Sequence, residues 1–269
     1  MRRAVEAVIR SNAYADRAWE VIHRLAKETE SGQHPLLARR PKIKGVAVVL
    51  LTSNRGLCGA FNTNAVKSCL DHLHNLPAGV KLELITLGVK GARALKRAGY
   101  EVTADFNRTD QTSSVAEISS LGKMLVDGYR QGRYDQVTLI YTDFESTLKQ
   151  WPRALMLLPL NVKPDSKLGE VKDAYHTRQV LAADEVIFEP DIANVLEFLL
   201  PRLFEIQIYQ ALLESEASEH SSRMFAMRNA TESATEMIQD LTFAYNQTRQ
   251  AGITQEIAEI SAGRLALAD

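Results

Sequence analysis

The residues that interrupt secondary structure are missing from one long part of this sequence. Between Arg202 and Ala251 there is no glycine and no proline, whereas ten of the 14 glycines fall between Gly45 and Gly132. Both residue types punctuate local structure, so their absence over that stretch excludes a chain of turns and predicts one uninterrupted element. Cysteine is scarce too. Cys58 and Cys69, eleven positions apart, cannot build a disulfide framework, and no C-x-x-C pair is present for a metal or for thiol exchange. That usage suits a reducing cytoplasm. Net charge is almost absent: 32 Lys and Arg against 33 Asp and Glu leave −1. No global field recruits nucleic acid or an anionic membrane. No apolar run approaches the roughly 20 residues of a membrane-spanning helix; the longest, Val46 to Leu51, is strand-sized. The opening Met1-Arg2-Arg3 has charges but no apolar stretch behind them, so no secretory signal is expected. What is present, 45% hydrophobic and 24% charged residues in a chain of 269, is the composition expected of a soluble globular protein with a sizeable core.

Periodicity divides the chain into three segments. From about Arg2 to Glu30, Val5, Val8, Asn12, Ala15, Trp19, Ile22 and Ala26 follow a 3-4 spacing, which predicts a helix with one apolar stripe. Ser31-Gly32-Gln33-His34-Pro35 ends it. The middle segment alternates strand and helix. Ile43 to Thr52 is a continuous apolar run, typical of a strand buried on both faces. A helix is expected from Asn62 to Asn75, a strand from Lys81 to Gly88, a helix from Val89 to Ala98 and a strand from Tyr100 to Phe106. A helix from Ser113 to Tyr129 follows, with Ser114 and Glu117 as a capping box. Tyr134 to Tyr141 is a fourth strand and Ala154 to Leu160 a fifth. This alternation implies α/β architecture with a mostly parallel sheet. Val162 to Asp184 is a polar connection without a clear pattern.

The third segment starts near Pro190-Asp191, with Asp191 as helix cap. Leu203, Ile206, Gln210, Leu213, Ala217, His220, Met224, Met227, Thr231, Ala234, Ile238, Leu241, Tyr245 and Thr248 hold the 3-4 spacing, which argues for a coiled coil. At 1.5 Å per residue such a helix is roughly 110 Å long, more than the middle domain can cover. Its seam loses apolar character toward the C-terminus. That fits either a loosely packed helix or a rod enclosed by other subunits. Two terminal helices can pair only if the middle domain brings its ends together. The expected architecture is therefore a coiled-coil shaft with an inserted α/β lobe, a mechanical or scaffolding shape.

Chemical signatures are few. The loop Thr52-Ser53-Asn54-Arg55-Gly56-Leu57-Cys58-Gly59-Ala60-Phe61-Asn62 lies between a strand and a helix, where doubly wound folds bind phosphates. It lacks G-x-G-x-x-G and G-K-[ST], so its glycines read first as a tight turn and second as a nucleotide site. His72 and His74 are two apart on a helix and face different ways. His220 reads as a seam residue, buried or facing a partner. Glu214-Ser215-Glu216 and Glu219 read as a solvated helix face. No carboxylate pair, nucleophile elbow or zinc signature appears, so no catalytic, cofactor or metal residues are expected. The stretch Tyr245 to Glu256 is dense in hydrogen-bonding side chains. Arg249, Thr254 and Glu256 point different ways on a helix, which suggests neighbours on all sides.

TSNRGLCGAFN (Thr52 to Asn62), FEPDIANVLEFLLPRLFEIQIYQALLESEASEHSSRMFAMRNATESA (Phe188 to Ala234), YNQTRQAGITQEIAEI (Tyr245 to Ile260) and the opening Arg2-Arg3-Ala4-Val5-Glu6-Ala7 closely resemble the gamma subunits of bacterial-type F-type ATP synthases. The resemblance implies a non-catalytic central-stalk rotor. Residues 1–34 would be the N-terminal helix of an antiparallel coiled coil, 40–185 a Rossmann-like α/β lobe, and 190–269 the long C-terminal helix. The shaft would stand inside a hexamer of alternating alpha and beta subunits, and its rotation would couple proton flow through the c-ring to ATP synthesis at beta. The lobe would meet the epsilon subunit and the c-ring, at the cytoplasmic face of a bacterial membrane without entering it. Arg223, Gln250, Thr254 and Glu256 match positions that touch the hexamer, and Val186, Ile187, Phe188 and Glu189 match the c-ring region. Neither a cofactor nor nucleic acid is implied, and no cysteine-bearing insertion for thiol regulation is present. Family members carry further residues before Arg2, so a shortened N-terminus is expected. Arg264 stands where relatives usually carry a small residue. The alternatives are a doubly wound nucleotide-binding enzyme and a coiled-coil adaptor.

Overall fold

The computed structural model describes residues 34–106, 115–161, 168 and 191–266. The helix expected from Arg2 to Glu30, the capping residue Ser114, the turn Val186 to Glu189 and all but Leu168 of the polar connection Val162 to Asp184 lie outside the described residues. Among the described residues nine elements follow one another: β1 (Gly45–Leu51), α1 (Phe61–His74), β2 (Lys81–Leu87), α2 (Val89–Arg97), β3 (Ala104–Phe106), α3 (Val115–Arg130), β4 (Gln136–Phe144), β5 (Gln150–Leu158) and α4 (Ile192–Ala266).

The strands form one sheet in the order β3-β2-β1-β4-β5. The pairs β1–β2, β1–β4 and β2–β3 are parallel, and β4–β5 is antiparallel. All seven residues of β1 are buried, as its unbroken apolar run requires of a central strand covered on both faces. The pleat sends alternate residues to opposite sides. Val46, Val48 and Leu50 join Ala65, Cys69 and Leu73 of α1 and Leu95 of α2. Ala47, Val49 and Leu51 join Leu121, Leu125 and Tyr129 of α3 and Leu200, Phe204 and Ile208 of α4. Each side chain of this size stabilises the fold by about 1.5–3 kcal/mol when fully buried.

The fifth strand is longer than expected and reversed in direction. Only the turn Glu145 to Lys149 separates it from β4, with Ser146 and Lys149 exchanging backbone hydrogen bonds at 3.0 and 3.2 Å. A connection that short can return the chain only as a hairpin. The third strand is shorter than expected. The Tyr100 amide is held by the Leu95 carbonyl at 3.0 Å, so the chain stays with α2 before joining the sheet at Ala104.

Asp191 caps α4 as expected: its carboxylate accepts from the Asn194 amide at 2.8 Å and from the Asn194 side chain at 2.7 Å. These bonds hold the Asp191 carboxyl below its ordinary range. The helix continues through Pro201. By contacts the chain divides into two compact units, Met1–Arg223 and Met224–Asp269.

Candidate functional site

In the first unit the C-terminal ends of β1, β2 and β4 lie at the point where strand order reverses, the place where open α/β sheets hold ligands. Here the chain fills its own crevice. The Thr52 amide donates to the Leu87 carbonyl at 2.9 Å, and the Thr52 hydroxyl donates to the Gly88 carbonyl at 3.0 Å. That hydroxyl also accepts from the Gly91 amide at 2.9 Å. Gly88 has φ 110°, and a Cβ there would sit 2.2 Å from the Thr52 carbonyl oxygen. Only glycine fits so close an approach.

The rest of the loop is wired in the same way. Asn62, in the first turn of α1, accepts from the Ser53 amide at 3.0 Å and donates to the Ser53 hydroxyl at 2.7 Å and the Cys58 sulfur at 3.1 Å. The Ser53 hydroxyl in turn contacts the Arg55 carbonyl. Lys90, at the start of α2, gives its amide to the Ser53 carbonyl at 3.1 Å. Ser53, the Asn62 side chain and the Lys90 amide are thus engaged with one another within the loop, which favours the tight-turn reading over the nucleotide reading. Leu57, at φ 60°, is 75% exposed at the tip.

Sequence reasoning placed Glu214, Ser215, Glu216 and Glu219 on a solvated face; they are buried instead. The Ser215 hydroxyl accepts from the Thr142 amide at 3.0 Å, and Ser218 donates to the Thr142 carbonyl at 3.4 Å. This part of α4 lies across the C-terminal end of β4, and its polar residues satisfy the strand end. Tyr141 is pushed upward by burial first, then by the Glu214 charge. His220, expected to be buried or partner-facing, is exposed.

Arg223 ends the first unit. Its guanidinium donates to Glu219 Oε1 at 2.7 Å and to the Gly56 carbonyl at 3.4 Å. The pair joins α4 to the tip of the β1–α1 loop, a link that Arg223's place in a helix pattern does not announce.

The second unit is different in kind. From Met224 onward the helix carries Met224, Met227, Met237, Ile238, Leu241, Phe243, Tyr245, Ile253, Ile257 and Ile260 exposed. Thr231, Thr235, Thr242, Thr248 and Thr254 each donate their hydroxyl to the carbonyl four residues earlier, at 2.7–2.9 Å. A threonine bonded in this way satisfies its hydroxyl within the helix and leaves its methyl for contact. Gln250, Thr254 and Glu256 are exposed, with Thr254 bonded to the Gln250 carbonyl. The four residues matched to the hexamer are therefore not one cluster. Arg223 is engaged within the first unit, and the other three lie on the second.

Among the described residues no three His, Cys, Asp or Glu come together as a metal site. Burial pushes the Cys69 thiol up to about 12, so it is a poor nucleophile. Burial also lowers His72 from its ordinary value.

The sequence matches the model of the ATP synthase family over residues 1–267. It is 39% identical over 267 residues to the ATP synthase gamma chain of Pelotomaculum thermopropionicum, covering 99% of this chain and 89% of that one. It is 37% identical to the ATP synthase gamma chain of Herpetosiphon aurantiacus, with the same coverage. Among solved structures it resembles a chain of the Euglena gracilis mitochondrial ATP synthase OSCP/F1/c-ring assembly, with TM-score 0.61 and 19% identity over 99% of this chain and 94% of that one. It also resembles a chain of the Tetrahymena thermophila mitochondrial ATP synthase central stalk and c-ring, with TM-score 0.54 and 24% identity over 84% and 99%. These structural likenesses show a shared fold.

Proposed function

The chain belongs to the ATP synthase gamma-chain family, and from that premise we propose that it is the non-catalytic central-stalk rotor of an F-type ATP synthase. In this reading it couples proton flow through a ring of c subunits to ATP synthesis at the beta subunits. The observation that carries it is the helix from Met224 onward, with ten large apolar side chains exposed. Apolar surface of that extent marks a face made for other chains. The surrounding chains are alpha and beta subunits, which enclose the helix as a hexamer, and Gln250, Thr254 and Glu256 make polar contacts to them. Arg223 makes a separate contact to the hexamer while also holding the β1–α1 loop. Residues 1–34 complete an antiparallel coiled coil with the helix of residues 190–269, and residues 40–185 form a Rossmann-like lobe inserted between them. The strand order and the helices on both sheet faces support that description of the lobe. Val186 to Glu189 meet the c-ring, and the lobe meets the epsilon subunit. The complex sits at the cytoplasmic face of a bacterial membrane. No helix among the described residues is long and apolar enough to cross a membrane, which fits a peripheral part.

Co-expression with alpha and beta subunits of a related synthase tests the reading. The chain is expected to co-purify in a hexamer-containing complex and to have no ATPase activity alone. A chain that stays free of both subunits refutes the proposal.

A further inference from the structure

The helix of the second unit turns its own seam to water. From Thr231 to Gln255 every residue but Asn246 is exposed, and Met237, Ile238, Leu241 and Tyr245 are 64–66% exposed. The 3-4 spacing puts Thr231, Ala234, Ile238, Leu241, Tyr245, Thr248, Gly252 and Gln255 on the seam. The Thr231 and Thr248 hydroxyls donate to the Met227 and Ala244 carbonyls at 2.9 Å, so these threonines offer methyl groups and need no outside acceptor. Glu259 takes the next seam position, where it accepts from the Gln255 side chain at 2.9 Å, and it ends the stripe. The stripe is about 37 Å long at 1.5 Å per residue.

The two flanks of the seam differ. One carries Arg228, Thr235, Thr242, Arg249 and Glu256, each seven positions from the next. The other carries Ala230, Met237, Ala244, Ala251 and Ala258 at the same interval, and small side chains there allow two helix axes to approach closely. Turned end for end about Thr242, the first flank complements itself: Arg228 meets Glu256, and Arg249 meets Thr235. The same antiparallel alignment sets Leu241 against Tyr245, Ile238 against Thr248 and Ala234 against Gly252. A parallel alignment would set Tyr245 against Tyr245 and pair no opposite charges across the seam. Arg228 also holds Glu232 Oε1 at 2.9 Å, with the two side chains 73% and 60% exposed. An exposed pair of that kind is worth little, and a guanidinium has donors for a second carboxylate.

We propose that, before it meets other subunits, the chain pairs with a second copy of itself through this stripe, as an antiparallel two-helix coiled coil centred between Thr242 and Ala244. A two-fold interface makes every contact twice, so an Arg228–Glu256 pair closes each end. Apolar surface built for a later assembly stands open until that assembly forms, and a second copy is present wherever the chain is made. The inference rests on the rotor reading for what displaces that copy. Alpha and beta subunits take the same surface, Glu256 included, so the dimer and the assembled stalk exclude each other.

The test is sedimentation velocity of the full chain at about 5 and about 100 μM, because dimer content follows protomer concentration. Dimer is expected at the higher concentration. R228E and E256R each turn both end pairs from attractive to repulsive and should weaken dimerisation about tenfold. An equimolar mixture of the two variants restores opposite charges at both ends and should dimerise as the parent does, a rescue that parallel pairing does not give. A244C, beside its own counterpart near the midpoint, should form a disulfide-linked dimer with diamide. A230C, opposite Ala258 of the second copy, should not. Cys58 and Cys69 are buried, and the parent reports their background. A parent that stays monomeric at both concentrations overturns the proposal, as does a mixture without rescue or equal cross-linking at the two sites. Circular dichroism checks the fold of every variant. Added alpha and beta subunits are expected to replace the dimer with a complex holding one chain per hexamer. A dimer that they do not displace sinks the rotor reading alone, and a monomer that assembles with them sinks the dimer alone.

Discussion

Arg223 shows how much one side chain of this chain is asked to do. It reaches Glu219 within its own helix and Gly56 across the loop, and Glu219 is 8% exposed. Arg223→Ala removes a charge-assisted bond of the stronger kind, and a loss of about 1–3 kcal/mol is expected by denaturant unfolding. Arg223→Lys keeps the charge but not the fork, so it should recover only part of that loss; full recovery would show that charge alone matters. Asp135 sets a pH dependence. Burial alone would raise its carboxyl, but the Lys44 and Gly45 amides and the Arg40 guanidinium outweigh burial and hold it below the ordinary value. For an acid lowered on folding, the stabilising contribution is complete above the unfolded-state value near ~4 and is lost as pH falls through the folded value. Asp135→Asn should therefore be less stable than the parent by a constant margin from about pH 7 to pH 5, with the margin shrinking below about pH 4. Urea unfolding at a series of pH values measures it, and a margin that is flat to acid pH contradicts the assignment.

At the scale of elements, Gly88 marks where β2 passes into α2, with positive φ and the Thr52 carbonyl against its Cα. Gly88→Ala should cost about 2–4 kcal/mol, because strain and overlap act together; a melting temperature within a degree of the parent would mean that the turn relaxes freely. Elements built on local signals were legible in the sequence. The apolar run of β1 and the periodicity of α3 appear within a residue or two of where they were expected. What a local pattern does not carry was missed. The direction of β5 depends on the length of the turn Glu145 to Lys149 and not on the strand's own residues. The burial of Glu214 to Glu219 depends on Thr142 and Asp143, some seventy positions away in the chain. Three glutamates so close together look solvated until the strand end that receives their neighbours is known. The candidate site was legible in the same uneven way: the loop and the long helix stood out, while the Arg223–Gly56 link needed the fold.

For the whole molecule the decisive contrast is between the two units. The first holds its own core, from Leu36 and the strands to the buried stretch of α4. Among its described residues the second has none. Ile238 and Leu241 are each 64% exposed, and they sit three apart on the same stripe. If the stripe served the chain's own stability, replacing these residues by aspartate would unfold something. If it serves assembly, the lobe should not notice. Surface substitutions away from packing change stability within about 0.5 kcal/mol, so Ile238→Asp with Leu241→Asp should leave the main unfolding transition in place. The same pair carries two charges into an interface that must exclude water, and unpaired charges there are costly. Co-purification with alpha and beta subunits is expected to fall at least tenfold, a difference of about 1.4 kcal/mol or more. A double variant that assembles like the parent would show that this stripe faces water in the complex, and the helix would then have to be held by its tip.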